Sequence, residues 1–161
     1  MRTLERSRDR AEILGRLREV RPDSAGRWGR MSAHGMVCHV GDALRMALGE
    51  RRVTPVTGPL QRTVLKWIAL YAPLPWPRGV RTSPEIDQEA SGTEPAGFTA
   101  DVARVEALVE AFTAPGGRLD RRVHPVFGGM SEAAWLRWGY VHMDHHLRQF
   151  GIGRRERRIG G

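Results

Sequence analysis

Apolar residues recur at spacings of three and four in four separate stretches, and each stretch reads as an amphipathic helix. Residues 4–20 carry Leu4, Ala11, Leu14 and Leu17 among charges, ahead of Arg21-Pro22, where a helix must end. Residues 33–48 follow Ser32, a fitting N-cap, and stop at Gly49. Met36, Val37, Val40, Leu44, Ala47 and Leu48 nearly encircle this segment, which places it in the centre of a bundle. Residues 100–113 open with Thr99 as N-cap and Asp101 in the first turn, carry a stripe of Val102, Val105, Leu108, Val109 and Phe112, and run into Pro115-Gly116-Gly117. Residues 132–150 start after Ser131, have Glu132 in the first turn and close on Gly151. A shorter helix is expected over residues 61–72, cut off by Pro73-Leu74-Pro75-Trp76-Pro77. Residues 73–97 then form a long acidic loop, either an ordered cover over one end of the bundle or a mobile segment. Residues 118–130 show no helical period. The expected architecture is all-α: a four-helix bundle in one domain, residues 1–161, with a flexible basic C-terminal tail over residues 152–161.

The last helix carries the chemistry. Trp135, Trp138, His142, His146 and Gln149 share one face, and His142 and His146 lie one turn apart, so both imidazoles can point at the same object. Such an i, i+4 pair is a common way for a helix to offer two nitrogen ligands to one metal ion, but a site needs a third. His39 on the central helix is the candidate. Taken alone it is a hydrogen-bonded core histidine; beside the pair it gains weight, because three imidazoles buried together leave ring nitrogens competing for few partners. Asp42, one turn further, either receives the N–H of a liganding histidine, faces the cavity as an acceptor, or is a surface carboxylate. His124, extended before Pro125, reads as a loop histidine. Cys38 adjoins His39 but points about 100° away around the helix, and a cysteine on a buried helix is inert.

Composition changes this picture little. At 161 residues the chain can bury roughly two thirds of its unfolded surface, so folding requires neither metal nor disulfide. One cysteine precludes an intrachain disulfide, the charged N-terminus does not resemble a signal peptide, and no run approaches a membrane span; the expectation is a cytoplasmic protein without a membrane partner. The net charge of +8 invites a nucleic-acid reading. Against it, Lys66 is the only lysine, and arginines are scattered beside acids, as in Glu12 and Arg16; only the stretch Arg154-Arg155-Glu156-Arg157-Arg158 is a true cluster. There is no internal repeat, Gly-rich phosphate loop, Cys-x-x-Cys or Gly-x-Ser-x-Gly.

The stretch from Trp28 to Asp42 (Trp28-Gly-Arg-Met-Ser-Ala-His-Gly-Met-Val-Cys-His39-Val-Gly-Asp42), His124-Pro-Val-Phe-Gly-Gly-Met-Ser131 and Tyr140-Val-His142-Met-Asp-His145-His146-Leu-Arg-Gln149-Phe-Gly151 together resemble the DinB/YfiT-like superfamily, in a branch of unknown function. The resemblance covers residues 27–151. It implies an up-up-down-down four-helix bundle with a long crossover and a divalent metal, zinc or nickel, held by His39, His142 and His146. His145, about 100° around the helix from His146, then neighbours the pocket, and Asp42, His145 and Gln149 are candidate contacts to the ligands or to a small-molecule substrate. The family includes transferases and isomerases that use a low-molecular-weight thiol, together with presumed hydrolases.

Three function classes follow. The first is a metal-dependent enzyme of thiol-transferase or hydrolase type, since three histidines leave a coordination position open. No general base comparable to a zinc-protease glutamate stands out, which tilts the choice toward thiol chemistry. The second is a non-catalytic metal- or small-molecule-binding module, with a homodimer through apolar residues left on the outer helices. The third is a nucleic-acid binder acting through the Arg154 to Arg158 cluster.

Overall fold

The structure, a computed structural model, describes residues 1–56, 58–79, 82–116 and 119–153. The chain is mostly helical, 53% of it, with one small two-stranded sheet. In chain order the described residues form α1 (Ser7–Leu17), α2 (Ala33–Leu48), α3 (Lys66–Tyr71), α4 (Phe98–Phe112), β1 (Val123–His124), β2 (Gly128–Gly129) and α5 (Glu132–Gln149). A π-helical turn, Gln61–Leu65, leads into α3. No helix among the described residues is long and apolar enough to cross a membrane.

The two helices with the clearest end signals lie where those signals put them. The Ser32 hydroxyl accepts from the Gly35 amide at 2.9 Å, and Gly49, at φ 79°, ends α2 in the left-handed conformation that favours glycine. The Ser131 hydroxyl accepts from the Ala134 amide at 3.2 Å, and Gly151, at φ 79°, follows α5. α2 is central: every residue in it except His34, Arg45 and Leu48 is buried. It packs against α4 and α5, and α1 packs on α5. Gly41 of α2 faces Val105 and Leu108 of α4. On α5, a Cβ at Gly139 would lie 2.8 Å from the side chains of Leu4 and Phe112, so only glycine fits this crossing.

Four expectations need correction. First, α1 is shorter than residues 4–20, and its inner face is partly charged: Leu4 and Leu17 are buried and Leu14 packs against the core, but Ala11 is exposed, and Asp9 and Arg16 are buried beside Ile13. The charges lie inside because they are paired. Arg16 donates to Asp144 at 2.7 Å and Glu12 at 3.1 Å, and its other nitrogens donate to the Ile152 carbonyl at 2.8 and 3.2 Å, which ties α1 to α5 and to the turn after it. Second, α4 starts at Phe98 with Gly97 as N-cap in place of Thr99; the Asp101 carboxylate reaches back and accepts from the Ala96 and Gly97 amides at 3.2 and 3.3 Å. Third, the helical class holds with one addition, a small hairpin in residues 118–130. β1 and β2 pair antiparallel, Val123 with Gly129 and His124 with Gly128, around a turn in which Gly128 has φ 70°. The His124 ring closes that turn: its Nδ1 accepts from the amides of Val126 and Phe127 at 3.1 and 3.2 Å, while the ring stacks on Phe127 and meets Trp135 and Trp138. Fourth, Ile152, expected in a flexible tail, is fastened by its own amide to Leu147 and by Arg16; the basic cluster from Arg154 to Arg158 lies outside the described residues.

The long loop is an ordered cover over the part that is described. Asp42, fully buried on α2, accepts from Arg51 at 2.9 Å, from the Thr93 hydroxyl and amide at 2.6 and 2.7 Å, and from Gln88 at 3.1 Å. Arg51 also donates to the carbonyls of Glu85 and Ser91, both at 2.6 Å. The apolar surface expected on the outer helices is concentrated on α3, which buries Leu70 and leaves Trp67 62% exposed.

Arg16→Met leaves the Asp144 carboxylate buried without its closest partner. It is expected to cost about 3 kcal/mol of stability, read by chemical denaturation, against a few tenths for the exposed pair of Arg30 and Glu89. His124 carries a pH dependence. Burial pushes its pKa down from 6.5 to about 3, so the folded state excludes a proton that the unfolded chain binds. The stability this contributes is complete above pH 6.5 and is lost as pH falls toward 3, with a slope of about 1.4 kcal/mol per pH unit. In His124→Asn, whose amide oxygen can take over the turn contacts, denaturation midpoints measured from pH 7 to 4 should fall less steeply, although the variant is less stable at pH 7 through lost ring packing.

Candidate metal centre

Helical periodicity puts Trp135, Trp138, His142, His146 and Gln149 on the inner face of α5, and the packing of α2 on α5 brings His39 to them. The ligand-capable atoms of His39, His142 and His146 all lie within 4.8 Å of one another, and this group could hold a metal ion. All three rings are at most 9% exposed. The His39 and His142 Nε2 atoms are 3.2 Å apart. Two nitrogens bound at 2.0–2.1 Å to one tetrahedral ion sit about 3.3 Å apart, so this spacing suits a shared ion. Without one, the same distance is bridged by a proton between the two rings.

The outer nitrogens set the tautomers. His39 Nδ1 donates to the Ile86 carbonyl at 2.7 Å, and His146 Nδ1 donates to Gln149 Oε1 at 3.0 Å. Each bond places the proton on Nδ1 and leaves Nε2 with a lone pair facing inward. Gln149 is held in turn by donating from Nε2 to the Trp28 carbonyl at 2.9 Å, which fixes which end of its amide meets His146. The His142 ring lies parallel to Trp138, centroids 5.0 Å apart at 11°, so the indole sets its plane.

Electrostatics keeps the three rings in the form a metal needs. Burial lowers the pKa of His39, a trend the Ile86 bond only partly opposes. Burial takes His142 and His146 well below 6.5, and each is lowered further by neighbouring imidazoles. All three are neutral at pH 7, and a metal would displace only the proton that His39 and His142 share between their inward nitrogens. The donor set, its protonation and its spacing therefore fit a divalent transition metal.

The remaining candidates fall into place unevenly. Gln149 touches a candidate ligand directly. Asp42 does not take the N–H of a candidate ligand; that acceptor is the Ile86 carbonyl, and Asp42 instead clamps the loop that carries Ile86. His145 is half-buried, its ring 5.2 Å from His146 and 5.9 Å from Trp76, on the rim of a cleft. Burial, then the charge of Arg148, lowers its pKa. Trp76 also faces His142, at 6.1 Å. The contributions of Ile86, Trp28 and Trp76 were not anticipated: two act through backbone carbonyls, which residue identity does not mark, and the Pro-Trp-Pro motif was read as a helix stop and as part of the family resemblance, with no place at the site.

Cys38 faces away from the triad, toward α4. With His34 and Asp101 it forms a second group whose ligand atoms lie within 4.8 Å. This group does not suit a cation. Burial, then the Asp101 charge, pushes the Cys38 thiol up to about 11, so it stays protonated. Asp101 is already occupied by two backbone amides, by His34 Nε2 at 2.8 Å and by the Arg104 guanidinium.

A family described as protein of unknown function (DUF1569) matches residues 53–151, whereas no curated protein and no solved structure matches the chain. The match takes in His142, His146 and Gln149 and begins after His39. Because it spans more than half of the sequence, including the whole of α4 and α5, the chain belongs to the DUF1569 family.

Proposed function

We propose that His39, His142 and His146 bind one divalent metal ion, zinc or nickel, and that the protein is a metal-dependent enzyme of thiol-transferase or hydrolase type, related to the DinB/YfiT-like superfamily. On this reading α1, α2, α4 and α5 are the four helices of an up-up-down-down bundle, with residues 49–97 as the crossover. The pairings of α1 with α5, and of α2 with both α4 and α5, support that arrangement. The observation that carries the metal reading is the convergence of three neutral imidazoles, two of them with the outer nitrogen pinned by an oxygen acceptor.

When bound, the ion supplies Lewis acidity at a coordination position that three protein ligands leave open, enough to draw the pKa of a water or a thiol toward neutrality. The protein's own groups orient and shield. Ile86 and Gln149 hold the two rings in register, Trp138 fixes the third, and Trp76 and His145 narrow the approach. Two carboxylates are close in sequence to the triad, and both are committed: Asp42 to Arg51, Thr93 and Gln88, Asp144 to Arg16. Neither is placed as a general base, which favours activation of a low-molecular-weight thiol over hydrolysis.

Elemental analysis of untagged protein tests the reading. About one zinc or nickel per chain is expected, and His146→Ala should lose it. A wild type that stays empty after zinc or nickel is supplied sinks the assignment and leaves a non-catalytic small-molecule-binding module as the better account. Gln149→Leu removes the acceptor on His146 Nδ1 and should weaken metal affinity roughly 10- to 100-fold in competition with a chelator, without loss of helical content by circular dichroism.

A further inference from the structure

Beside the triad, on the outer side of α5, lies a cleft of about 230 Å³. Its walls include Arg27, Trp28, Trp76, Arg78, His145 and Arg148, and no carboxylate lines it among the described residues. The three guanidinium groups come from three separate parts of the chain: the segment before α2, the loop after α3, and the last turn of α5. Among the described residues each has donors to spare. The Arg78 guanidinium carbon lies over the Trp28 ring, 4.4 Å from its centre. Among the described residues the Arg27 side chain has one hydrogen bond, a long one, 3.4 Å to the Gly151 carbonyl. Among the described residues Arg148 has a loose pair with Asp144 Oδ2 at 3.7 Å, and that one carboxylate also serves buried Arg16, through Oδ1 at 2.7 Å. Three cations thus face one cleft with little local compensation, between two indole rings.

Trp76 and His145 belong both to this cleft and to the surroundings of the triad. Trp76 lies 6.1 Å from His142, and His145 lies 5.2 Å from His146, ring centre to ring centre. A small molecule anchored by its anionic end among the arginines would lay its body along Trp76, with its far end directed at the histidines.

We propose that this cleft binds the anionic group, carboxylate or phosphate, of a small-molecule substrate whose body packs between Trp28 and Trp76, and that Arg27, Arg78 and Arg148 recognise the charge. Guanidinium forks suit either oxyanion, and the aromatic walls favour an apolar body over a bare ion. As a substrate subsite the cleft rests on the metal-centre reading; as an anion site it can be tested apart from it.

The test is calorimetric titration of full-length, metal-depleted protein with phenyl phosphate, phenylacetate and, as a neutral control, benzyl alcohol. At least one of the two anions should bind with a Kd on the order of 1 mM or tighter, and the one that does identifies the headgroup. Benzyl alcohol should bind at least tenfold more weakly. Arg148→Gln and Arg78→Gln, both on exposed side chains, should each weaken the anion at least fivefold, and raising the salt should weaken it in wild type. Binding of neither anion, equal binding of benzyl alcohol, or unchanged affinity in both variants overturns the proposal. His146→Ala separates it from the metal reading: that variant should lose metal and keep anion binding. Metal without anion binding removes the cleft alone, and anion binding in a protein that never takes up metal removes the catalytic reading alone.

Discussion

Three imidazoles buried within a few ångströms of one another are the constraint on which the rest of this molecule depends. An unsatisfied buried polar nitrogen costs about 1–3 kcal/mol, and three charged rings side by side would cost far more, so each ring must be neutral and each outer nitrogen should find a partner. For His39 and His146 the partners are the Ile86 carbonyl and the Gln149 side chain. Only one partner lies on a helix: Gln149 ends α5, three residues after His146. Ile86 sits in the long loop, and Gln149 is steadied by the Trp28 carbonyl ahead of α2. The centre therefore requires two irregular segments to be held in place. Asp42 meets the first requirement: with both oxygens on residues 88 and 93 and on Arg51, it joins the loop to α2 one turn from His39.

How legible this was follows from what each feature is made of. The ends of α2 and α5 rest on side-chain caps and on glycines at positive φ, which are local and readable, and both helices start where Ser32 and Ser131 indicate. The convergence of His142 and His146 follows from helical spacing alone, and His39 joins them through the central position that the encircling apolar residues of α2 implied. The charged part of the inner face of α1 was missed for a physical reason. Its buried face includes Asp9 and Arg16, and a charged residue looks like surface until its partners, here Asp144 and the Ile152 carbonyl at the far end of the chain, are known. The hairpin of β1 and β2 offers two residues per strand, too few for a period, and is held by an imidazole acting as a turn acceptor. The backbone acceptors of the centre leave no trace in residue identity.

The two groups with metal-ligand spacing show why proximity does not suffice. Around His39, His142 and His146 the environment removes protons: burial and mutual repulsion keep the rings neutral, and the outer hydrogen bonds aim lone pairs at a common point. Around His34, Cys38 and Asp101 it does the reverse. The Asp101 charge raises the thiol pKa, and the same carboxylate is consumed by the backbone at the start of α4 and by Arg104. A cation entering there would compete with an arginine already in place. The second cluster is a helix cap that happens to contain soft and nitrogen donors.

The doubled histidine of α5 joins these two kinds of environment. Adjacent helical residues point about 100° apart, so when His146 turns inward to the triad, His145 must face the rim. The inner side is dry, neutral and aromatic, with Trp138 against His142. The outer side is cationic, with Arg148 on the same last turn and Arg27 and Arg78 across the cleft. A molecule reaching the inward nitrogens from that side passes from a region that stabilises negative charge to one that stabilises lone-pair donors. On the proposed reading the arrangement suits a ligand with its charge at one end and its reactive atom at the other, a demand set by the helix pitch, which turns His146 inward while His145 and Arg148 line the cleft.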